Sequence, residues 1–168
     1  MNQNDYWQTP PELFDRINAM VRHAGYLDGV QTDGATTAEN PLGTAHFCYP
    51  GGPSHWVGVT YLNPPFSEAR QWLERATQHH APVVALGMTS WASNKGTIPI
   101  IQRFDIVVNL GRVNFYPDPY NMAGVKVSKA RSDTSLYIWL PTGDTAELTE
   151  WVSAANREFF NHLVMGVV

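Results

Sequence analysis

Hydrophobic and polar positions follow two different periods along the chain, and the two periods predict helices and strands in turn. Helices are predicted over residues 10–24, 68–79, 97–104 and from Thr145 to about Leu163. Strands are predicted at 26–28 or 30–33, then at 59–62, 83–88, 105–110 and 136–140, with 113–116 extending the fourth and His46-Phe47 as a further short extended piece. Residues 83–88 are almost free of polar atoms, as expected for a strand buried on both faces.

Strands that alternate with helices favour an α/β fold with a mostly parallel sheet. No helix is predicted between the last two strands, so we expect them to pair in antiparallel fashion. Ligands in such sheets lie at the carboxyl ends of the strands. Asp33, Asn63 and Thr89 each come at the end of a predicted strand. We therefore expect these three residues to meet at one edge of a single domain, residues 1–168.

Two polar side chains precede predicted helices. Thr9 stands before Pro10, and Glu12 follows three residues later, which is the spacing of a capping box. Ser67 has the same N-cap position before the second helix. Thr9 has a second interpretation, because a hydroxyl at a helix N-terminus also suits a bound carboxylate.

The segment Asn63-Pro64-Pro65-Phe66 follows the strand at 59–62 and forms a stiff corner. Each proline fixes one φ angle and lacks an amide hydrogen, so the corner offers acceptors, the Asn63 side-chain oxygen and the Pro64 carbonyl, with few competing donors. An aromatic amine is a poor nucleophile because its lone pair is delocalised, and such acceptors favour its tetrahedral form. Phe66 can stack on a flat base. The alternative interpretation is a rigid turn without chemistry.

The cysteine, apolar and histidine content indicates the cellular compartment and whether a metal is bound. The chain has one cysteine, Cys48, so no internal disulfide can form and a reducing cytoplasm is expected. No apolar run approaches the ~18 residues of a membrane span. We therefore expect no membrane partner. His79 and His80 are adjacent rather than at metal-ligand spacing, so we also expect no metal.

Charge is distributed unevenly along the chain. The net charge is −4, yet the stretch 95–131 holds six basic and two acidic residues and so carries +4, which leaves −8 for the remainder. A basic face of this kind can contact phosphates. Much of it falls in a long loop, 117–133, and loops of that length are often functional. The alternative is chance clustering of charge on a solvated loop.

Four motifs follow one another in order: Trp7-Gln-Thr-Pro-Pro-Glu-Leu-Phe, Asp33-Gly-Ala-Thr-Thr-Ala-Glu-Asn, Leu62-Asn-Pro-Pro-Phe-Ser and Gly111-Arg-Val-Asn-Phe. Together they resemble the phage-encoded Dam-type DNA N6-adenine methyltransferases, and the resemblance covers roughly residues 5–140. It implies a single Rossmann-like class I methyltransferase domain, mostly parallel with a C-terminal antiparallel strand. It also implies S-adenosylmethionine as cofactor, adenine-containing DNA as partner and, for a phage protein, the cytoplasm of a bacterial host.

The resemblance assigns roles to individual residues. Asn63, Pro64, Pro65 and Phe66 match the catalytic motif, and Thr9, Pro10 and Asp33 match cofactor positions, to which we add Trp7, Ala35 and Asn63. Substrate contacts are expected from Phe66, Thr89, Trp91, Lys95, Arg112, Lys126, Lys129 and Arg131. The chain departs from the family in lacking a Gly-x-Gly loop after Asp33, where Gly34-Ala35-Thr36-Thr37 stands instead, and in lacking the usual Phe-Pro-Ser run before the last strand.

Other functions fit the same corner. A protein glutamine amide or an adenine in RNA could replace adenine in DNA as the methyl acceptor. A non-catalytic DNA-binding protein that retains the fold is a third possibility, and cofactor binding separates it from the two enzymes.

Overall fold

The computed structural model describes residues 7–36, 42, 46–47, 55–117 and 132–159. Its strands are β1 (Trp7–Gln8), β2 (Thr32–Asp33), β3 (His46–Phe47), β4 (Thr60–Leu62), β5 (Val83–Met88), β6 (Ile106–Gly111), β7 (Tyr116–Pro117) and β8 (Thr134–Trp139). Its helices are α1 (Pro11–His23), α2 (Ala69–Ala76), α3 (Ile98–Ile101) and α4 (Thr145–Phe159), with 3₁₀ turns at Phe66–Glu68 and Thr89–Ala92.

Six strands form the main sheet in the order β3-β2-β4-β5-β8-β6. The pairs β2–β3, β2–β4 and β4–β5 are parallel, whereas β8 is antiparallel to both of its neighbours, β5 and β6. The predicted α/β class is confirmed, and so is the antiparallel pairing of the last two strands, β6 and β8; the sheet as a whole is mixed.

Helices cover both faces of this sheet. α1 and α4 pack on one face, against Val84 and Leu86 of β5 among others. α2 and α3 pack on the opposite face, where Val83 and Ala85 of the same strand meet them. Successive side chains of a strand point to opposite faces, so a strand covered on both sides must be apolar at every position. This explains why β5 was the clearest strand in the sequence.

The order of the parallel strands reverses at β2. From β2 the chain first adds β3 on one side and then β4 on the other. At such a reversal the connections after two neighbouring strands run to opposite sides of the sheet. This leaves a crevice at the carboxyl ends of the two strands, and ligands of open α/β sheets bind there. By this rule a ligand is expected between the ends of β2 and β4, and we call this position the crevice.

The helix starts differ from prediction. Pro10, not Thr9, occupies the N-cap position of α1, and no side chain caps that helix, so the predicted capping box of Thr9 with Glu12 is wrong. Ser67 lies inside the 3₁₀ turn, and α2 begins only at Ala69 without a side-chain cap. The Thr9 hydroxyl has a tertiary partner, described below, and this partner replaces the local amide.

Of the two alternatives for the first strand, the second is confirmed: β2 comprises Thr32–Asp33, within the predicted range 30–33, and residues 26–28 are not a strand. One strand prediction needs correction. Residues 113–116 do not extend β6, because a bulge between Asn109 and Gly111, with Gly111 at φ 67°, turns the chain out of the sheet. The chain then forms β7, which pairs antiparallel with β1 in a separate two-stranded ribbon. Neither strand of this ribbon was predicted, whereas the extended piece at His46–Phe47 is confirmed as β3.

Two predicted features fall mainly or partly outside the described residues: the basic loop 117–133 and the last helix beyond Phe159. Within the described part of the chain, no helix has the length and apolar character needed to cross a membrane. The same residues contain no group of three or more His, Cys, Asp or Glu side chains suited to a metal ion.

Candidate functional site

Three predicted site residues lie at neighbouring strand ends. Asp33 ends β2, Asn63 directly follows β4, and Thr89 directly follows β5. These strands are parallel neighbours, and the register places Asp33 beside Tyr61 and Leu62 beside Ala85. The structure therefore brings the carboxyl ends of β2, β4 and β5 to one edge, as the sequence predicted.

Two hydrogen bonds fasten the N-terminal segment across the end of β4, and we call this pair of bonds the N-terminal clamp. The Asn63 amide nitrogen donates to the Trp7 carbonyl oxygen at 3.0 Å. The hydroxyls of Thr9 and Tyr61 share a hydrogen bond of 2.5 Å. Tyr61 and Asn63 are two residues apart, and the residues that they bond, Thr9 and Trp7, are also two residues apart.

The clamp fixes which way the Asn63 amide points. A carbonyl oxygen can only accept, so the group that faces Trp7 must be the NH₂ of Asn63. The side-chain oxygen then points away from Trp7 and is left as an acceptor. Pro64 and Pro65 are buried, and the Pro65 carbonyl accepts from the Glu68 amide at 3.0 Å, which starts the 3₁₀ turn.

Asp33 is a buried carboxylate, with 2% of its surface exposed. Burial raises the pKa of Asp33 to about 6, although hydrogen bonds from the Leu42 amide at 3.1 Å, from Thr36 and from the Ala35 backbone act in the opposite direction. At neutral pH the group is therefore mostly ionised inside the crevice. An ionised carboxylate with so little water around it favours a cationic or hydrogen-donating ligand.

Gly34 allows the loop after β2 to cross close to β4. Its amide donates to the Tyr61 carbonyl at 2.7 Å, and its own carbonyl accepts from the indole nitrogen of Trp56 at 3.2 Å. A Cβ at this position would lie 2.8 Å from the Thr60 methyl group, too close for any larger residue without movement of the strands. Ala35 follows, half-buried against the core of the α2 and α3 face.

An aromatic cluster borders the Asn-Pro-Pro corner. The half-buried Phe66 ring meets Trp91 edge to face at 5.9 Å and Phe115 at 6.4 Å between ring centroids. Trp91 packs over Gly87, where a Cβ would come within 1.9 Å of the indole, and it stacks on Tyr137 at 6.2 Å. Two separate chain segments, at Trp91 and at Phe115, therefore contact the Phe66 ring.

The remaining predicted substrate residues are more dispersed. The Thr89 hydroxyl bonds Ser135 at 2.8 Å and so ties β5 to β8. Lys95 is exposed, and the exposed Arg112 guanidinium lies 3.8 Å from the Asp133 carboxylate, an ion pair weakened by solvent. Lys126, Lys129 and Arg131 lie outside the described residues.

Sequence reasoning missed three residues that build the site. Tyr61 was counted only as a strand residue, although a fully buried tyrosine hydroxyl requires a partner and could have signalled a polar contact. Phe115 was part of a quoted motif but received no role. Gly34 stands where a Gly-x-Gly loop would follow Asp33, and that pattern alone does not indicate its close approach to β4.

Comparison of the sequence with protein-family models finds no matching family, and no curated protein matches it. The function is therefore inferred from the four sequence motifs together with the strand ends, their charge and their hydrogen bonds.

Proposed function

We propose that this protein transfers a methyl group from S-adenosylmethionine to the exocyclic N6 amine of adenine in DNA. The observation that carries this proposal is the fixed orientation of Asn63. Its NH₂ is occupied by the Trp7 carbonyl, so its oxygen is presented as an acceptor beside two prolines that carry no amide hydrogen. An amine-activating site needs such an acceptor-rich corner.

The crevice between β2 and β4 fits the proposed cofactor. Ionised Asp33 complements the positive charges of S-adenosylmethionine, and the Thr9 hydroxyl can donate to its carboxylate. Trp7, Pro10 and Ala35 complete the set of residues that would hold it. When bound, the cofactor supplies an electrophilic methyl group. A single Rossmann-like class I domain over residues 1–168 is the fold that we propose for this arrangement.

The side chains at the corner have separate tasks in the reaction. Asn63 accepts a hydrogen bond from the adenine amine, with the Pro64 carbonyl as second acceptor. That bond strengthens as the nitrogen becomes tetrahedral, so it stabilises the transition state more than the bound substrate. Catalysis then consists of positioning and electrostatics.

The base must leave the DNA stack to reach this edge. Phe66 stacks on the flipped adenine, and the edge contacts of Trp91 and Phe115 hold the Phe66 ring at the required angle. Lys95, Arg112, Lys126, Lys129 and Arg131 contact phosphates, and Thr89 lines the path of the strand.

Methyl transfer with a tritiated cofactor tests the proposal directly. Duplex DNA, single-stranded DNA, RNA and a glutamine-containing protein are assayed in parallel, and the products are hydrolysed and identified. We expect label in N6-methyldeoxyadenosine. Label in RNA or in glutamine would mean that the protein is a methyltransferase whose methyl acceptor is not adenine in DNA. Cofactor binding by calorimetry without any transfer would favour a non-catalytic DNA-binding protein.

A further inference from the structure

The Tyr61 hydroxyl is buried beside the proposed cofactor site, and the reaction described above does not use it. Tyr61 has no exposed surface, and its ring packs edge to face against Phe14 of α1 at 5.4 Å. The hydroxyl bonds the Thr9 hydroxyl at 2.5 Å. A buried hydroxyl usually has such a partner, so the bond itself is unsurprising. The direction of the bond has consequences for the ligand.

Each of the two hydroxyls carries one hydrogen, and only one of these can lie between the oxygens. A phenol is a much stronger acid than an aliphatic alcohol, which makes Tyr61 the better donor and Thr9 the better acceptor. Burial raises the pKa of Tyr61, the bond to Thr9 lowers it in part, and the charge of Asp33, its neighbour in register on β2, adds to the rise, so the phenol keeps its hydrogen. With Tyr61 as donor, the Thr9 hydrogen must point away from Tyr61.

We propose that Tyr61 is a positioning residue that directs the Thr9 hydroxyl hydrogen out of the core and towards the carboxylate of the bound cofactor. A hydroxyl that accepts from Tyr61 can serve a carboxylate only as a donor, which is the role that an anionic ligand group requires. This inference rests on the proposed function, because it needs a cofactor with a carboxylate at Thr9.

Tyr61 also couples the two ends of the site. It lies in β4, two residues before Asn63, which directly follows that strand, and both side chains hold the segment that contains Trp7 and Thr9. The end of β4 thus orients the acceptor for the substrate amine and the donor for the cofactor carboxylate through the same N-terminal clamp.

Ligand binding by calorimetry tests the inference without requiring catalysis. Two probes are used: S-adenosylhomocysteine, which has the carboxylate, and decarboxylated S-adenosylmethionine, which lacks it. Tyr61→Phe removes one oxygen atom, and we expect it to weaken S-adenosylhomocysteine about tenfold, the scale of a hydrogen bond to a charged group, and to leave the decarboxylated probe within about twofold. Equal weakening of both probes would overturn the inference.

Thr9→Val completes a double-mutant cycle. Since Tyr61 acts through Thr9, the double variant should bind S-adenosylhomocysteine no more weakly than Thr9→Val alone, whereas additive losses would contradict the inference. Thr9→Ser keeps the hydroxyl, so its affinities for S-adenosylhomocysteine and for decarboxylated S-adenosylmethionine should differ as they do in the wild type. Tyr137→Phe is the matched control, because it deletes a buried phenol oxygen that bonds the Met88 carbonyl at 2.8 Å.

Thermal unfolding and circular dichroism, measured on every variant, establish that the proteins compared are folded. If Tyr61→Phe does not fold, the probe difference between Thr9→Val and Thr9→Ser decides the matter: without such a difference Thr9 donates to no carboxylate and the inference fails. If the wild-type protein binds neither probe, the proposed function fails and this inference fails with it. If the wild type binds both and Tyr61→Phe does not discriminate between them, the proposed function stands and only the role of Tyr61 is lost.

Discussion

At the scale of single residues, Asn63 depends on one backbone acceptor, the Trp7 carbonyl, for its orientation. Two substitutions distinguish the role of the Asn63 oxygen as an acceptor from the role of its NH₂ in orienting the amide. Asn63→Ala removes the acceptor and should lower turnover about 100-fold or more, as loss of one preorganised polar group does. Asn63→Asp keeps an oxygen but has no N–H for the Trp7 carbonyl, so it should also be impaired.

Single-turnover methylation of an adenine-containing duplex measures both Asn63 variants. The exposed amide of Gln102, at the end of α3, provides a control whose alanine variant should retain the wild-type rate. An Asn63→Ala protein with the wild-type rate would mean that the corner is only a turn.

Asp33 should stabilise a ligand complex while it destabilises the free protein. Its pKa is raised from 3.8 to about 6, so the folded state holds this proton more tightly than the unfolded state does. By linkage, Asp33 lowers the free energy of unfolding as pH rises from 3.8 to about 6, and this destabilisation is fully present above that range. Asp33→Asn should therefore raise the free energy of unfolding at pH 7.5 by about 1–3 kcal/mol and change it little at pH 4.

Urea unfolding of both proteins at the two pH values measures this difference. Calorimetry with S-adenosylhomocysteine should show much weaker binding to Asp33→Asn. Asp105→Asn is the control, since burial also raises the pKa of Asp105 but this carboxylate bonds the Leu140 amide, away from the crevice. Unchanged ligand affinity in Asp33→Asn would remove this residue from the site.

At the scale of elements, the β1–β7 ribbon positions the site without belonging to the main sheet. Removal of residues 1–8 deletes β1 and the Trp7 carbonyl, yet leaves all six strands of the main sheet. We expect a folded protein with native-like circular dichroism whose methylation rate falls at least tenfold, because the Asn63 amide is then free to rotate. Full activity in the shortened chain would show that the ribbon has no role in positioning.

Elements with a repeated pattern could be predicted, and elements made by distant pairing could not. The six residues of β5 are apolar throughout, and α1 repeats its apolar positions over three turns, so both are visible in the sequence. β1 and β7 contain two residues each and exist because they pair across more than 100 residues, which no local pattern records.

The same distinction applies to the site. Asp33, Asn63 and Thr89 were predicted to converge because strand ends of a parallel sheet meet at one edge. The error at Thr9 has the opposite origin: its local sequence suits a helix cap, but Tyr61, 52 positions away, provides a buried partner. Local capping rules cannot anticipate a tertiary hydrogen bond of this kind.

At the scale of the whole molecule, the uneven charge predicts a salt-dependent affinity for DNA. Arg112 and Arg70 form a matched pair, since both are exposed and both have an exposed carboxylate partner, at 3.8 Å and 3.0 Å respectively. Arg112→Ala should reduce the slope of log affinity against log salt by about 0.9, the value for one phosphate contact, and Arg70→Ala should not change it.

Fluorescence anisotropy with a labelled duplex between low and physiological salt gives these slopes. A variant with Arg112, Lys126, Lys129 and Arg131 all replaced by alanine should show a slope reduced by several times about 0.9. A slope equal to that of the wild type would exclude the basic segment from phosphate binding.

The position of β8 determines when the sheet can be completed during synthesis. β8 joins β5 to β6, so both strands are synthesised before the segment that pairs with them. Until Thr134–Trp139 arrives, each has an unpaired edge, and exposed edges recruit other chains. Folding must also wait for a contact across about 50 residues, which slows it. Nascent chains that stall before Trp139 should therefore be the aggregating species, and the cell's chaperones should engage this protein over that interval.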